Sequence, residues 1–436
     1  MKLSEITAAQ LLRHVKVLAE EFPHRHTGDP EEKGAVEYIA RQMREIGLNV
    51  EVLEIPVMGW GVTREAQLEI LAPEKRRVEC IPFIFSGSTP ARGVKGRLQY
   101  VGRSFIAGGY EWEKYALVDE AGRWQAIVTG RDDGPAIPLP GPPSGVAGAA
   151  ETPLITWPAC VIGVEDLQRL LTWHKAGQEV QVCYTVSTYF NPDARSYIVK
   201  GALQGQVNPE DFVILGCHHD CAGAVGFPPA IDSFGANDNA SAVAIFIELA
   251  RYYRTNGAAK TLWFVSFGGE ERNLILSRDY ARVLNETGQL NQVIAYLGID
   301  QAANGDILRL LSSADEAHLQ PNINLRPIVA KVAAELKLAE RFNIWGPAPV
   351  HAASDHWPFY FSGVPSFLTG WHPFPTYHRG GDNLAYCNDD AKFLATMHLT
   401  AGMIDRVCAL PRQGPVTRAL TDGHVTTNVA VNARRK

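Results

Sequence analysis

The sequence predicts an α/β protein: a mixed, mostly parallel central sheet flanked by helices and interrupted by a β-rich inserted domain. Three observations point there. From "RSYIVKGALQGQVNPEDFVILGC" onward, apolar strand-like runs alternate with amphipathic helical stretches, the pattern of a layered α/β fold. Between residues 60 and 193 the texture changes to short strand-like runs broken by Pro and Gly. A chain of 436 residues also exceeds one ordinary compact domain.

Each element follows from a local pattern. "MKLSEITAAQLLRHVKVLAEEFP" alternates apolar and charged residues as an amphipathic helix does, and lacks the apolar centre of a signal peptide. In "DPEEKGAVEYIARQMREIGLNVEVLEIPV", Val36, Ile39, Ala40, Met43 and Ile46 recur at helical spacing and Gly47 stands where a C-terminal cap belongs. "LNVEVLEIPV" then alternates as a strand. The runs "AQLEIL", "GRLQYV", "QAIVTG" and "VQVCYTV" are short strands, while "GPAIPLPGPPSGVAGAAETPLITWP" is too proline-rich for regular structure and predicts an extended loop. "DFVILGC", "KTLWFVSF" and "VIAYLGID" are apolar enough for buried parallel strands. In "SAVAIFIELARYY", Val243, Phe246, Ile247, Ala250 and Tyr253 form a stripe, with Ser241 or Asn239 available as cap. The weakly periodic "GPVTRALTDGHVTTNVAVNARRK" reads as a tail. The division expected is a discontinuous domain of 1–59 and 194–415, an inserted domain of 60–193 and a tail of 416–436.

Bulk properties exclude several functions. Hydrophobic content of 46% and charged content of 20% fit a soluble globular protein. A net charge of −6 gives no electrostatic case for nucleic acid. No apolar run is long enough to span a bilayer, so no membrane partner is expected. Seven Cys, an odd number without framework spacing, fit a reducing compartment, and the cytoplasm is the expected location.

The chemistry concentrates in five places. In "GCHHDC", strand alternation puts His218 and Asp220 on one face and Cys217, His219 and Cys221 on the other. A structural Cys/His zinc site would need a second ligand pair nearby, and none follows. "GANDNA" places Asp238 in the turn before a helix, as a cap or as a carboxylate able to bridge two cations. "GGEE" opens a predicted helix on Glu270 and Glu271, where acids gain from the helix dipole, or where one binds metal and its neighbour stays free as a base. Asp300 ends a strand, where open α/β sheets place their sites. His351, His356 and His378 follow late in the chain, each able to be an ordinary core or surface histidine. Taken in order, these form a nitrogen and oxygen ligand set without thiolates, suited to a catalytic divalent ion.

"CHHD", "GANDNAS", "GGEE", "GID", "SDHWPF…GVPSF" and "YHRGGD" together resemble the dizinc exopeptidases of metallopeptidase family 28, the aminopeptidase Y and bacterial leucyl aminopeptidase type. The likeness runs through the second half; "TGDPEEKGAVEYIARQMREIGLNVEV" resembles the family's opening helix and strand, and 60–193 more loosely resembles a protease-associated domain. The resemblance implies two metal ions: His218 and Asp300 on one, Glu271 and His378 on the other, with Asp238 bridging. It implies Glu270 as general base, Asp220 as the carboxylate orienting His218, Tyr377 as a transition-state donor, and a cis peptide at Asp238–Asn239. Zinc is the expected metal, with manganese or cobalt compatible with the same donors. The expected activity is removal of N-terminal residues from a peptide substrate; a homo-oligomer is compatible with it. The alternatives are a glutaminyl-cyclase-like enzyme with one zinc and a receptor-like binding protein. Asn273, Leu276 and Ala242 stand where relatives usually carry Gly, yet all five ligand positions are kept.

Overall fold

The computed structural model describes residues 1–105, 111–140, 157–313, 324–350 and 353–411. The chain opens with α1 (Ala8–Lys16), capped by the Thr7 hydroxyl, which accepts the Gln10 N–H. Next comes α2 (Pro30–Ile46), with Pro at its first position and Gly47 left-handed at φ 91° at its end, as the sequence predicts. Strand β1 (Asn49–Pro56) leads to a second sheet.

That sheet is built from β2 (Gly59–Ala72), β3 (Arg76–Val78), β4 (Cys80–Pro82), β5 (Val94–Phe105), β6 (Glu111–Val118), β7 (Trp124–Gly130), β8 (Ala159–Ile162) and β9 (Gln181–Asn191). Helix α3 (Val164–Lys175) joins its last two strands. The chain returns in β10 (Arg195–Leu203), antiparallel to β1 with Arg195 opposite Pro56. It therefore leaves and re-enters the first sheet at one edge, which lets eight strands be inserted without breaking that sheet's pairing. The described part of "GPAIPLPGPPSGVAGAAETPLITWP" before residue 141 is irregular; residues 141–156 and the predicted tail lie outside the described residues.

The first sheet continues with β11 (Asn208–His218), α4 (Ser241–Asn256), β12 (Lys260–Phe267), α5 (Ile275–Glu286), β13 (Val293–Ile299) and β14 (Ile307–Ser312). It ends with α6 (Arg326–Glu335), α7 (Leu338–Arg341), β15 (Ile344–Ala348), α8 (His356–Phe361), β16 (Ser366–His372) and α9 (Asp390–Cys408). Its strand order is β1-β10-β12-β11-β13-β16-β14-β15, and the four inner strands β12, β11, β13 and β16 are parallel. β12 and β13 are buried throughout, as their continuous apolar runs require. One face packs on α1, α2, α4 and α9 through Leu11, Ile39, Phe246 and Met403. The other packs on α5 and α8 through Val265, Leu276, Tyr280 and Phe359.

Two local expectations fail for physical reasons. The apolar residues expected on helix α4 are all buried, and so is every other residue of 241–250, because helices and sheet enclose that part. Neither predicted cap serves it; the Ser241 hydroxyl donates to the Asn237 carbonyl, and the Asn239 amide donates to the Ile299 carbonyl. Glu270 and Glu271 do not open a helix. Gly269, Asn273 and Leu274 are left-handed at φ 73°, 65° and 60°, so α5 starts only at Ile275 and the glutamates sit on the preceding turn. Asn273 takes a left-handed conformation that Asn tolerates better than most residues. No helix among the described residues is long and apolar enough to cross a membrane, and the seven cysteines are free thiols.

Candidate metal centre

The parallel strands deliver the site. His218 is the last residue of β11, Asp300 directly follows β13, the Glu270–Glu271 turn follows β12, and His378 lies in the turn after β16. Asp238 sits just before α4 on a cis peptide to Asn239. All of these segments meet at the C-terminal edge of the sheet, where strand-end loops converge.

Asp238 is the centre. Its Oδ1 lies 3.3 Å from His218 Nε2 and its Oδ2 lies 3.5 Å from His378 Nε2. Asp300 Oδ1 lies 3.4 Å from His218 Nε2, and Glu271 Oε2 lies 3.2 Å from His378 Nε2. One carboxyl oxygen of Glu270 lies within 4.8 Å of the donor atoms of His218 and Asp300. The structure thus brings together all five side chains expected to ligate, with Glu270 beside them.

The donor set fits cations better than it fits itself. Two ligand atoms about 2.0–2.1 Å from one tetrahedral zinc stand about 3.3 Å apart, close to the separations found here and longer than the usual N–H···O bond of about 2.9 Å. Glu271 Oε1 is buried without a hydrogen-bond partner. The electrostatics agree. Burial raises the Glu270 carboxyl well above its ordinary range, helped by Glu271 and Asp300 and opposed by His218. Burial also raises Glu271, with His378 opposing. For Asp238 burial works the same way, but the two imidazoles prevail and hold it below the usual carboxylate range. Burial disfavours charge on His218 and His378, yet the surrounding carboxylates lift both well above ordinary histidine values, led by Glu270 and Glu271 respectively. So many carboxylates gathered on two rings demand positive charge.

Supporting contacts extend this picture. His218 Nδ1 lies 3.1 Å from the Asp220 main-chain oxygen and 3.5 Å from its carboxylate. The Asp220 carboxylate mainly receives other donors: the Thr27 hydroxyl at 2.7 Å and the N–H groups of Glu270 and Glu271 at 3.3 and 3.2 Å. It fixes the glutamate turn as much as the ring. Tyr377 stacks on His378 with ring centroids 3.8 Å apart. His219 turns away to the Ser266 hydroxyl at 2.9 Å, and Cys217 and Cys221 are buried off the site. His356 is buried outside the cluster, and His351 lies outside the described residues.

Sequence reasoning missed three helpers. Asp382 accepts the N–H groups of Asn237 and Asp238 at 2.7 and 3.0 Å. Gln301 donates to Asp238 Oδ2 at 3.0 Å, and Thr27 binds Asp220 as above. Asp382 in "YHRGGD" and Thr27 in "TGDPEEKG" belong to quoted motifs and were within reach of sequence reasoning; Gln301 carries no local signal. A further group, His24, His26 and Asp232, also collects possible ligand atoms. Its N···O separations of 2.7 and 2.8 Å are those of hydrogen bonds, and His26 is also bonded to Asp29 at 2.9 Å, so it is an ion-paired network.

Fold and site together fit a metallohydrolase, with nitrogen and oxygen donors gathered around the Asp238 carboxylate and Glu270 beside them. Residues 199–401, which hold every expected ligand position, match the model of peptidase family M28. The chain is 24% identical over 412 residues to aminopeptidase YwaD of Bacillus subtilis strain 168, covering 90% of this chain and 83% of that one. Its fold resembles that of an aminopeptidase from Aneurinibacillus sp. strain AM-1, at TM-score 0.67 and 23% identity, covering 96% and 98% of the two chains. It also resembles a zinc aminopeptidase from Bacillus subtilis, at TM-score 0.64 and 20% identity, covering 91% and 94%.

Proposed function

We propose that this chain is a metal-dependent aminopeptidase that removes N-terminal residues from peptides. The observation that carries the reading is Asp238, which turns one carboxylate oxygen to His218 and the other to His378. His218, Asp300 and Asp238 would hold one divalent ion, and Glu271, His378 and Asp238 a second. Zinc is supported by the likeness to the zinc aminopeptidase of B. subtilis. When bound, such a pair supplies Lewis acidity toward the scissile carbonyl and a water acidic enough to react near neutral pH.

The chain's own residues do the rest. Glu270, its carboxyl made more basic by burial, takes the proton of the attacking water and returns it to the leaving amine. Asp220 and Thr27 hold the turn that carries Glu270. Tyr377, fixed against His378, is the donor to the developing oxyanion. A single-ion enzyme needs only about three of these five ligands, and a binding protein has no use for a base at Glu270.

The test is a metal-free preparation re-supplied with zinc, manganese or cobalt and assayed on matched free-amine and N-blocked peptides. Activity should return with metal and only on free-amine substrates. Equal rates on blocked peptides would remove the aminopeptidase reading, and full activity without metal would remove the metal reading.

A further inference from the structure

The second sheet touches the metal centre through the start of its proline-rich stretch. Pro138 offers its carbonyl oxygen to His378 Nδ1 at 3.1 Å, across 240 residues of sequence. A metal-bound imidazole needs such an acceptor to fix its tautomer and ring angle. His218 finds one within its own strand end, at the Asp220 carbonyl. His378 does not: it lies in a turn outside regular structure, with a left-handed backbone at φ 53°.

The acceptor is held from both sides. The strap Gly134–Pro140 is anchored in the second sheet by Gly134 O accepting the Val164 N–H at 2.9 Å and Leu139 O accepting the Ile84 N–H at 2.9 Å. Ala136, Ile137 and Leu139 are buried in an apolar cluster with Trp60, Phe83 and Trp112, against which Tyr377 also packs. Pro135, Pro138 and Pro140 fix φ and bring no N–H groups, so the strap is stiff and carries more carbonyls than donors. Arg379, the neighbour of His378, closes the link. Its Nη1 donates to the Ala136 carbonyl at 2.7 Å and its Nη2 to Glu79 Oε1 at 3.0 Å.

We propose that Arg379 is a positioning residue which clamps the Gly134–Pro140 strap so that the Pro138 carbonyl orients His378, making the second sheet a working part of the metal centre. This rests on the two-ion reading above. The inserted sheet then governs the ion held by Glu271 and His378 while leaving the ion at His218 and Asp300 alone.

Zinc titration of metal-free full-length protein against a chromophoric chelator tests it, with Arg379→Ala and Arg379→Lys compared to wild type. Wild type should bind two equivalents. Arg379→Ala should keep the first affinity and bind the second about 10–100-fold more weakly, with Lys, able to reach one of the two acceptors, in between. Excess zinc should then restore turnover. Unchanged binding of both equivalents, or equal weakening of both with a lower melting temperature, would overturn the proposal. A wild type binding one equivalent would instead overturn the two-ion reading. The strap is then decided by hydrogen exchange at His378 Nδ1, slow in wild type and fast in Arg379→Ala if the proposal holds, and equal in both if it does not.

Discussion

Replacing Glu270 by Gln changes one atom at the reacting end of the side chain and little else. The main-chain N–H of Glu270 bonds Asp220 Oδ1 at 3.3 Å whatever the side chain is, so the turn should persist. The five groups facing one another across Asp238 are untouched, so metal should stay. What is lost is a base, because an amide cannot take up a proton from water. General-base catalysis is worth about 10²–10⁴-fold, and at about 1.36 kcal/mol per factor of ten this is about 2.7–5.4 kcal/mol on the barrier. The structure points to the upper end. No other carboxylate of the site is placed to stand in for it, because Asp238, Asp300 and Glu271 are turned toward the imidazoles. The assay is kcat on a free-amine peptide, with zinc content measured in the same preparations. We expect two zinc equivalents and kcat down by about 10⁴. A variant within tenfold of wild type would refute Glu270 as the base; a variant without zinc would show that Glu270 is a ligand.

Two further outcomes concern stability. Gly216→Ala should lose about 1–3 kcal/mol, since an added Cβ would meet the buried Tyr296 hydroxyl at 1.9 Å and its ring at 2.3 Å; an unchanged denaturant midpoint would disprove that close approach. His26 lies buried between Asp29 and Asp232, at 2.9 and 2.8 Å. Burial opposes its charge, but the Asp232 carboxylate prevails and lifts it well above its ordinary 6.5. A folded value above the unfolded one gives stabilisation that is complete below about pH 6.5 and lost as pH rises through the folded value. Unfolding free energy should therefore fall from pH 6 to pH 9 more steeply in wild type than in His26→Asn, and parallel curves would argue against it.

The sequence by itself determined the fold class, because apolar runs such as "DFVILGC" and "KTLWFVSF" must be buried on both faces. It also favoured His218 over the neighbouring thiols by strand alternation and pointed to the strand ends, where a sheet gathers its loops, while the full ligand set came only as what the family resemblance implies. Periodicity could not show that Glu270 and Glu271 precede rather than open α5, since that depends on Asn273 and Leu274 adopting positive φ. Nor could it show that residues 241–250 of α4 are buried without exception. Only tertiary structure decided the contacts that support the site: Thr27 on Asp220, Gln301 on Asp238, Pro138 on His378. Each joins segments 63 to 240 residues apart. A lone hydroxyl, amide or carbonyl has no periodicity to betray it, and it gains a partner only once the sheets have brought its segment there.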